Sequence, residues 1–142
     1  MTVQDDPTAV PRVLPRLDEH TNAFWTGGAN AQLLIARCRD CRRWVHPPVA
    51  HCPNCNGPLE PTPVSGDGVV FTYSVNHEQF HPAVAPPYVI ALVELTEQPG
   101  LRIITNIVGC DPEAVAIGMA VRVEFERHGD FFVPVFAPRD VI

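Results

Sequence analysis

In the second half of the chain apolar and polar side chains alternate with a period of two. Turn residues separate the runs, as in short strands with one buried face. After Ser65-Gly66-Asp67-Gly68, the residues Val69, Phe71, Tyr73 and Val75 share one face of a predicted strand. Residues 88–95 (YVIALVEL) are apolar on both faces, which predicts a central strand, and Gln98-Pro99-Gly100 turns it into another over residues 101–108. Asp111-Pro112-Glu113 suits at most one helical turn, with Asp111 as N-cap and Pro112 at the first helical position. Val121, Val123 and Phe125 then alternate with Arg122, Glu124 and Glu126, and His128-Gly129-Asp130 closes a hairpin into residues 131–136. Five strands with a small helical insert between the third and fourth predict a Greek-key barrel of the OB type over residues 64–142. A small open sheet or sandwich is the competing arrangement.

The first half reads differently. Residues 17–30 (LDEHTNAFWTGGAN) predict a short helix after Pro15, with Asp18 and Glu19 in its first turn and Gly27-Gly28 ending it. Phe24 and Trp25 are adjacent, so both cannot face one narrow core stripe; one of them packs on the ribbon or on a partner chain. Residues 33–37 and 44–46 predict strands entering and leaving a cysteine knuckle. Glu60-Pro61-Thr62-Pro63 reads as a stiff linker and residues 1–14 as a flexible lead, which leaves 15–60 as the first module.

Cysteine spacing carries the sharpest chemistry. Cys38 and Cys41 form one C-x-x-C pair, and Cys52 and Cys55 form a second ten residues on. Two such knuckles supply the tetrahedral, all-sulfur set that structural zinc prefers, which predicts one zinc per chain and a coordinatively closed metal without chemistry of its own. Two disulfides, a redox-active pair or a rubredoxin-type iron centre are the competing readings. Pro53 stiffens the second knuckle, and Gly57 is expected to supply the left-handed backbone that leaves it. Arg37, Arg39, Arg42 and Arg43 crowd the first knuckle, where they offset thiolate charge or receive an anion.

Composition then removes whole classes of activity. The 142 residues include 16 prolines, which disfavour long helices, and all ten basic residues are arginines. Without lysine there is no Schiff base, no lysine-bound pyridoxal cofactor and no phosphate-loop lysine. The two serines, Ser65 and Ser74, lie outside any G-x-S-x-G elbow. No apolar run approaches the ~20 residues of a bilayer span, and the acidic, proline-bearing start is unlike a signal peptide; a soluble cytoplasmic protein is expected. Residues 64–142 carry four arginines against ten acids, the wrong sign for a nucleic-acid-binding barrel. Cys110 reads as a small buried residue at a strand end. His46 and His51 flank the ribbon, but four cysteines already suffice for the metal. His77 and His81 sit on a proline-stiffened loop suited equally to docking and to plain solvation.

In order along the chain, Phe24-Trp25, Cys38-x-x-Cys41, Cys52-Pro53-x-Cys55, Gly66-x-Gly68-Val69-Val70, residues 88–95 and Ile117-Gly118-Met119-x-Val121 resemble a known family. It is the set of small bacterial and archaeal proteins that join an N-terminal helix and a rubredoxin-like zinc ribbon to a C-terminal OB-fold. The resemblance covers residues 15–137. Arg42 departs from it, standing where the family's first knuckle commonly has glycine. The resemblance implies a non-catalytic subunit that completes a thiolase-like enzyme and helps to place an acyl-CoA. Lipid-transfer-protein-like aldolases of steroid side-chain breakdown are such enzymes, and a hot-dog-fold hydratase is a further associate. Within that frame the knuckle arginines, Arg43 above all, are expected to receive the phosphates of CoA, with Trp44 stacking on its adenine. An OB-type nucleic-acid binder and a small electron carrier are the alternatives from other classes.

Overall fold

The computed structural model describes residues 2–4, 14–79 and 85–140, and the core runs without a break through both halves of the chain. The N-terminal module holds helix α1 (Asn22–Thr26), which passes into a 3-10 turn (Gly27–Asn30). A three-stranded sheet of β2 (Leu34–Cys38), β3 (Trp44–Val45) and β4 (Leu59–Pro63) follows, in the order β3-β2-β4. The expected linker is therefore a strand: β4 pairs antiparallel with β2 from Leu34↔Pro63 to Cys38↔Leu59. Prolines are tolerated there because β4 is an edge strand, where a missing N–H interrupts no second ladder.

The barrel consists of β5 (Asp67–Asn76), β6 (Tyr88–Leu95), β7 (Arg102–Ile107), β8 (Ala120–His128) and β9 (Phe131–Pro138). Their order is β8-β5-β6-β7-β9, and β8 pairs again with β9 to close the ring. This is the expected five-stranded OB barrel. Asp111 caps the 3-10 turn Pro112–Ala114 as anticipated, its carboxylate accepting the Glu113 N–H at 2.9 Å. Of the expected flexible lead, β1 (Thr2–Gln4) lies parallel to β8, while residues 1 and 5–13 lie outside the described residues.

Two local expectations are corrected and a third is refined. The alternation in β5 breaks at Phe71, where Val70 pairs with Val93 but Thr72 already pairs with Leu92. Phe71 is the extra residue of a β-bulge, so the inward face is Gly68 and Val70 before it, with Tyr73 and Val75 packing on the core after it; Val69 and Phe71 point out. The helix is also shorter than expected. Asp18 accepts N–H bonds from His20 and Thr21 at 2.8 and 2.9 Å, a local turn that precedes helix α1, so no acid occupies its first turn.

Gly27 and Gly28, finally, do follow the last residue of helix α1, as expected, but in right-handed backbone; the left-handed exit comes at Ala31, φ 55°, after the 3-10 turn. They are glycines for lack of space. A Cβ on Gly28 would lie 2.4 Å from the Phe132 Cβ and 2.8 Å from the Phe125 ring. Strands β7 and β9 pair only at Ile107↔Phe136, and helix α1 with its 3-10 turn packs against β9 beside this seam.

Candidate metal centre and its setting

The two knuckles repeat one backbone course. The Cys38 N–H donates to the Arg43 carbonyl and the Arg42 N–H to the Cys38 carbonyl; in the second knuckle the Cys52 N–H donates to Gly57 O and the Asn56 N–H to Cys52 O. Each turn is completed by a left-handed residue four places after its first cysteine, Arg42 at φ 67° and Asn56 at φ 65°. The left-handed position is thus Asn56 and not Gly57. Gly57 is required for room: a Cβ there would stand 2.7 Å from Asp40 Oδ2 and 3.0 Å from the Cys38 sulfur.

This course brings the four sulfurs of Cys38, Cys41, Cys52 and Cys55 within 4.8 Å of one another, with Cys38–Cys55 at 3.4 Å and Cys41–Cys52 at 3.7 Å. A tetrahedral zinc with Zn–S bonds of about 2.3 Å needs sulfurs roughly 3.8 Å apart, so the set fits. Backbone N–H groups of Cys41 and Asn54 point at the sulfurs of Cys38 and Cys52, both at 3.4 Å. Protons are unevenly held among such close thiols. The Arg43 backbone N–H and then Asn54 hold the Cys41 thiol down at about 6. The Gly57 N–H also lowers the Cys55 thiol, but Cys38 and Cys41 outweigh it and push Cys55 up to about 12. A bound divalent ion resolves this competition by favouring thiolate at all four. The site is one structural zinc centre with every coordination position filled by protein.

The arginines are distributed more widely than a charge cluster. Arg37 lies over the Trp44 ring at 4.5 Å and donates from Nε to the Arg42 carbonyl at 2.8 Å. Arg39 faces Glu60 at 3.5 Å, and Arg42 and Arg43 are exposed. Trp44 is only 8% exposed, so an adenine reaching its ring has to take the place of Arg37. Its backbone is also engaged. The Trp44 N–H donates to Gln98 Oε1 at 2.9 Å, and the Gln98 amide donates back to the Trp44 carbonyl at 3.0 Å. Sequence reasoning treated Gln98 only as a turn residue; that its amide mimics a strand and ties the ribbon to the barrel has no signal in local pattern.

His46 stands apart from the metal, packed on Phe24 with ring centroids 5.0 Å apart, and burial pushes its pKa down to about 4. His51 and His77 are exposed, and His81 lies outside the described residues. Cys110 is half-buried against the core, and burial followed by the Asp111 charge raises its thiol. No helix among the described residues is long and apolar enough to cross a membrane.

Comparison with known proteins follows the same division. Residues 25–60 match the family described as "ChsH2, rubredoxin-like zinc ribbon domain", and residues 61–126 match "ChsH2, C-terminal OB-fold domain". A DUF35 domain-containing scaffold protein of Methanocaldococcus jannaschii is 42% identical over 104 residues, covering 67% of this chain and 68% of its own. A 3-oxo-4,17-pregnadiene-20-carboxyl-CoA hydratase alpha subunit of Mycobacterium tuberculosis is 37% identical over 134 residues, 94% of this chain and 42% of its own. A probable enoyl-CoA hydratase alpha subunit of Thermomonospora curvata is 42% identical over 120 residues, 82% of this chain and 37% of its own. The chain thus spans about two fifths of these two hydratase subunits. Among solved structures, a chain of the Ltp2-ChsH2(DUF35) aldolase superposes with a TM-score of 0.78 at 39% identity, over 88% of this chain and 98% of that one.

Proposed function

Because the chain belongs to the DUF35 family, in the form that joins a ChsH2-type zinc ribbon to an OB-fold domain, we propose that it is a non-catalytic accessory subunit of a thiolase-like acyl-CoA enzyme, an aldolase of lipid or steroid side chains. The observation that carries this reading is the 39% identity over nearly the full length of a chain from the Ltp2-ChsH2(DUF35) aldolase. The chemistry of the chain agrees with it. The metal position is closed by four cysteines, lysine is absent, and the described residues contain no serine elbow. The base for carbon–carbon cleavage then comes from the partner, and this subunit supplies shape and binding.

Arg43, exposed beside the first knuckle, is the residue we assign to the CoA phosphates. Trp44 stacks on the adenine in this reading, with Arg37 moving aside from the ring it now covers. An Arg–phosphate contact is worth roughly 1.5–3 kcal/mol. In the reconstituted complex, Arg43→Gln is therefore expected to raise KM for the acyl-CoA about tenfold or more while kcat changes little, since binding common to ground and transition states is what is removed. Unchanged KM with weakened zinc retention would assign the arginines to thiolate charge alone. Acyl-CoA turnover by the isolated chain would overturn the accessory role.

A further inference from the structure

Among the described residues, four of the seven exposed large apolar side chains lie together on the outer face of β5, β6 and β7. Rows across the three strands read Ser74–Ile90–Asn106 and Thr72–Leu92–Ile104, with Val69, Glu94 and Arg102 in the next. Ile104 is 75% exposed, and Ile90, Phe71 and Val69 join it at 43%, 42% and 37%. Trp25 stands at the margin of this face, between two shallow clefts. One, of about 350 Å³, is lined by Trp25, Tyr88, Ile90 and Ile104; the other, of about 370 Å³, by Trp25, Pro47, Pro48, Leu92, Arg102 and Ile104. Both are open and chiefly apolar.

Charge decides what such a face can meet. The chain carries a formal −6, yet the charges on the outward rows are paired: Glu94 with Arg102 at 3.2 Å, Arg102 also lying 3.6 Å over the Phe71 ring, and Asp67 at the start of β5 with Arg122 at 2.8 Å. A neutral face without a basic rim suits neither anionic lipid nor nucleic acid. Apolar, aromatic and arginine side chains with little free charge are the composition of a protein–protein interface core. Size adds a constraint. Three strands about 4.8 Å apart, of ten, eight and six residues, present roughly 15 by 25 Å, near half of the ~800 Å² per partner of a stable interface. The footprint must therefore continue past Trp25 onto Pro47 and Pro48 of the ribbon.

We propose that this composite face, barrel strands β5–β7 with Trp25 and Pro47-Pro48 at its edge, is the seat of the thiolase-like enzyme subunit. The inference rests on the accessory role proposed above and specifies its docking surface. The test uses the full zinc-loaded chain co-expressed with its cognate thiolase-like subunit. Wild-type chain that does not bind that subunit overturns the accessory role itself, and this seat with it. Given a wild-type complex, Ile104→Glu is expected to weaken binding at least about thirtyfold and Ile104→Thr less, with zinc content and circular dichroism unchanged, because the side chain is exposed. Amides of residues 88–93 and 102–106 are expected to gain hydrogen-exchange protection in the complex. Wild-type affinity in Ile104→Glu, protection confined to another face, or a self-association of the chain that Ile104→Glu abolishes while partner binding persists would each overturn the assignment.

Discussion

Arg42 and Asn56 occupy equivalent places in the two knuckles, but they are not equally suited to them. Asparagine visits the left-handed region readily, whereas an ordinary L-residue pays roughly 1–2 kcal/mol there. Arg42→Gly is thus expected to stabilise the first knuckle by about 1 kcal/mol, seen as slower zinc loss to a chelator; faster loss would mean that the guanidinium charge outweighs the strain. His46 makes a second residue-scale prediction. Its folded-state pKa of about 4 lies below the ordinary 6.5, so the unfolded chain takes up a proton that the folded one refuses. Its contribution to stability is whole above pH 6.5 and is lost as pH falls toward 4, at up to about 1.4 kcal/mol per pH unit. Urea unfolding across that window should show a slope that His46→Leu flattens.

At the scale of elements, the metal and the barrel hold different parts of the ribbon. Leu33 and Ile35 are buried in the core shared with the barrel, whereas Cys38, Val45 and Cys52 form a small separate cluster around the metal. Cys41→Ser is expected to remove hydrogen-exchange protection from residues 38–58 while β5–β9 keep theirs, because metal binding supplies most of the folding energy of so small a cluster. Protection unchanged through the knuckles would refute the structural zinc. Gln98→Ala removes both amide bonds to Trp44 and leaves a buried backbone pair without partners, a loss of roughly 1–3 kcal/mol. Its effect should appear in β3 first. Elements were legible in the sequence where the signal is local: cysteine spacing, period-two strands, the Gly129 hairpin. They were not where the cause is a neighbour. The bulge at Phe71 depends on how β5 counts against β6, and Pro61 and Pro63 look like linker residues until β4 is seen to be an edge. The four metal ligands were readable outright, while the Gln98 bridge and the exposed face around Ile104 depend on long-range register.

For the molecule as a whole, the two sequence modules meet at residues 60 and 61, but the core does not divide there. Phe24, Leu33, Ile35 and Trp44 share one cluster with Val123, Phe125 and Phe132, and Gly28 lies flat on the last two. Residues 61–142 produced alone should bind a hydrophobic dye and aggregate, and Gly28→Ala should destabilise the full chain by roughly 1–3 kcal/mol; a soluble, monomeric barrel fragment would contradict both. The close approach at Gly28 also bears on heredity. A genetic exchange that cut between ribbon and barrel would separate a glycine from the two phenylalanines that require it, and neither product would inherit a surface its new neighbour could cover. Such junctions are expected to be selected against, so that helix, ribbon and barrel would travel as one cassette, joined to other chains only as a whole.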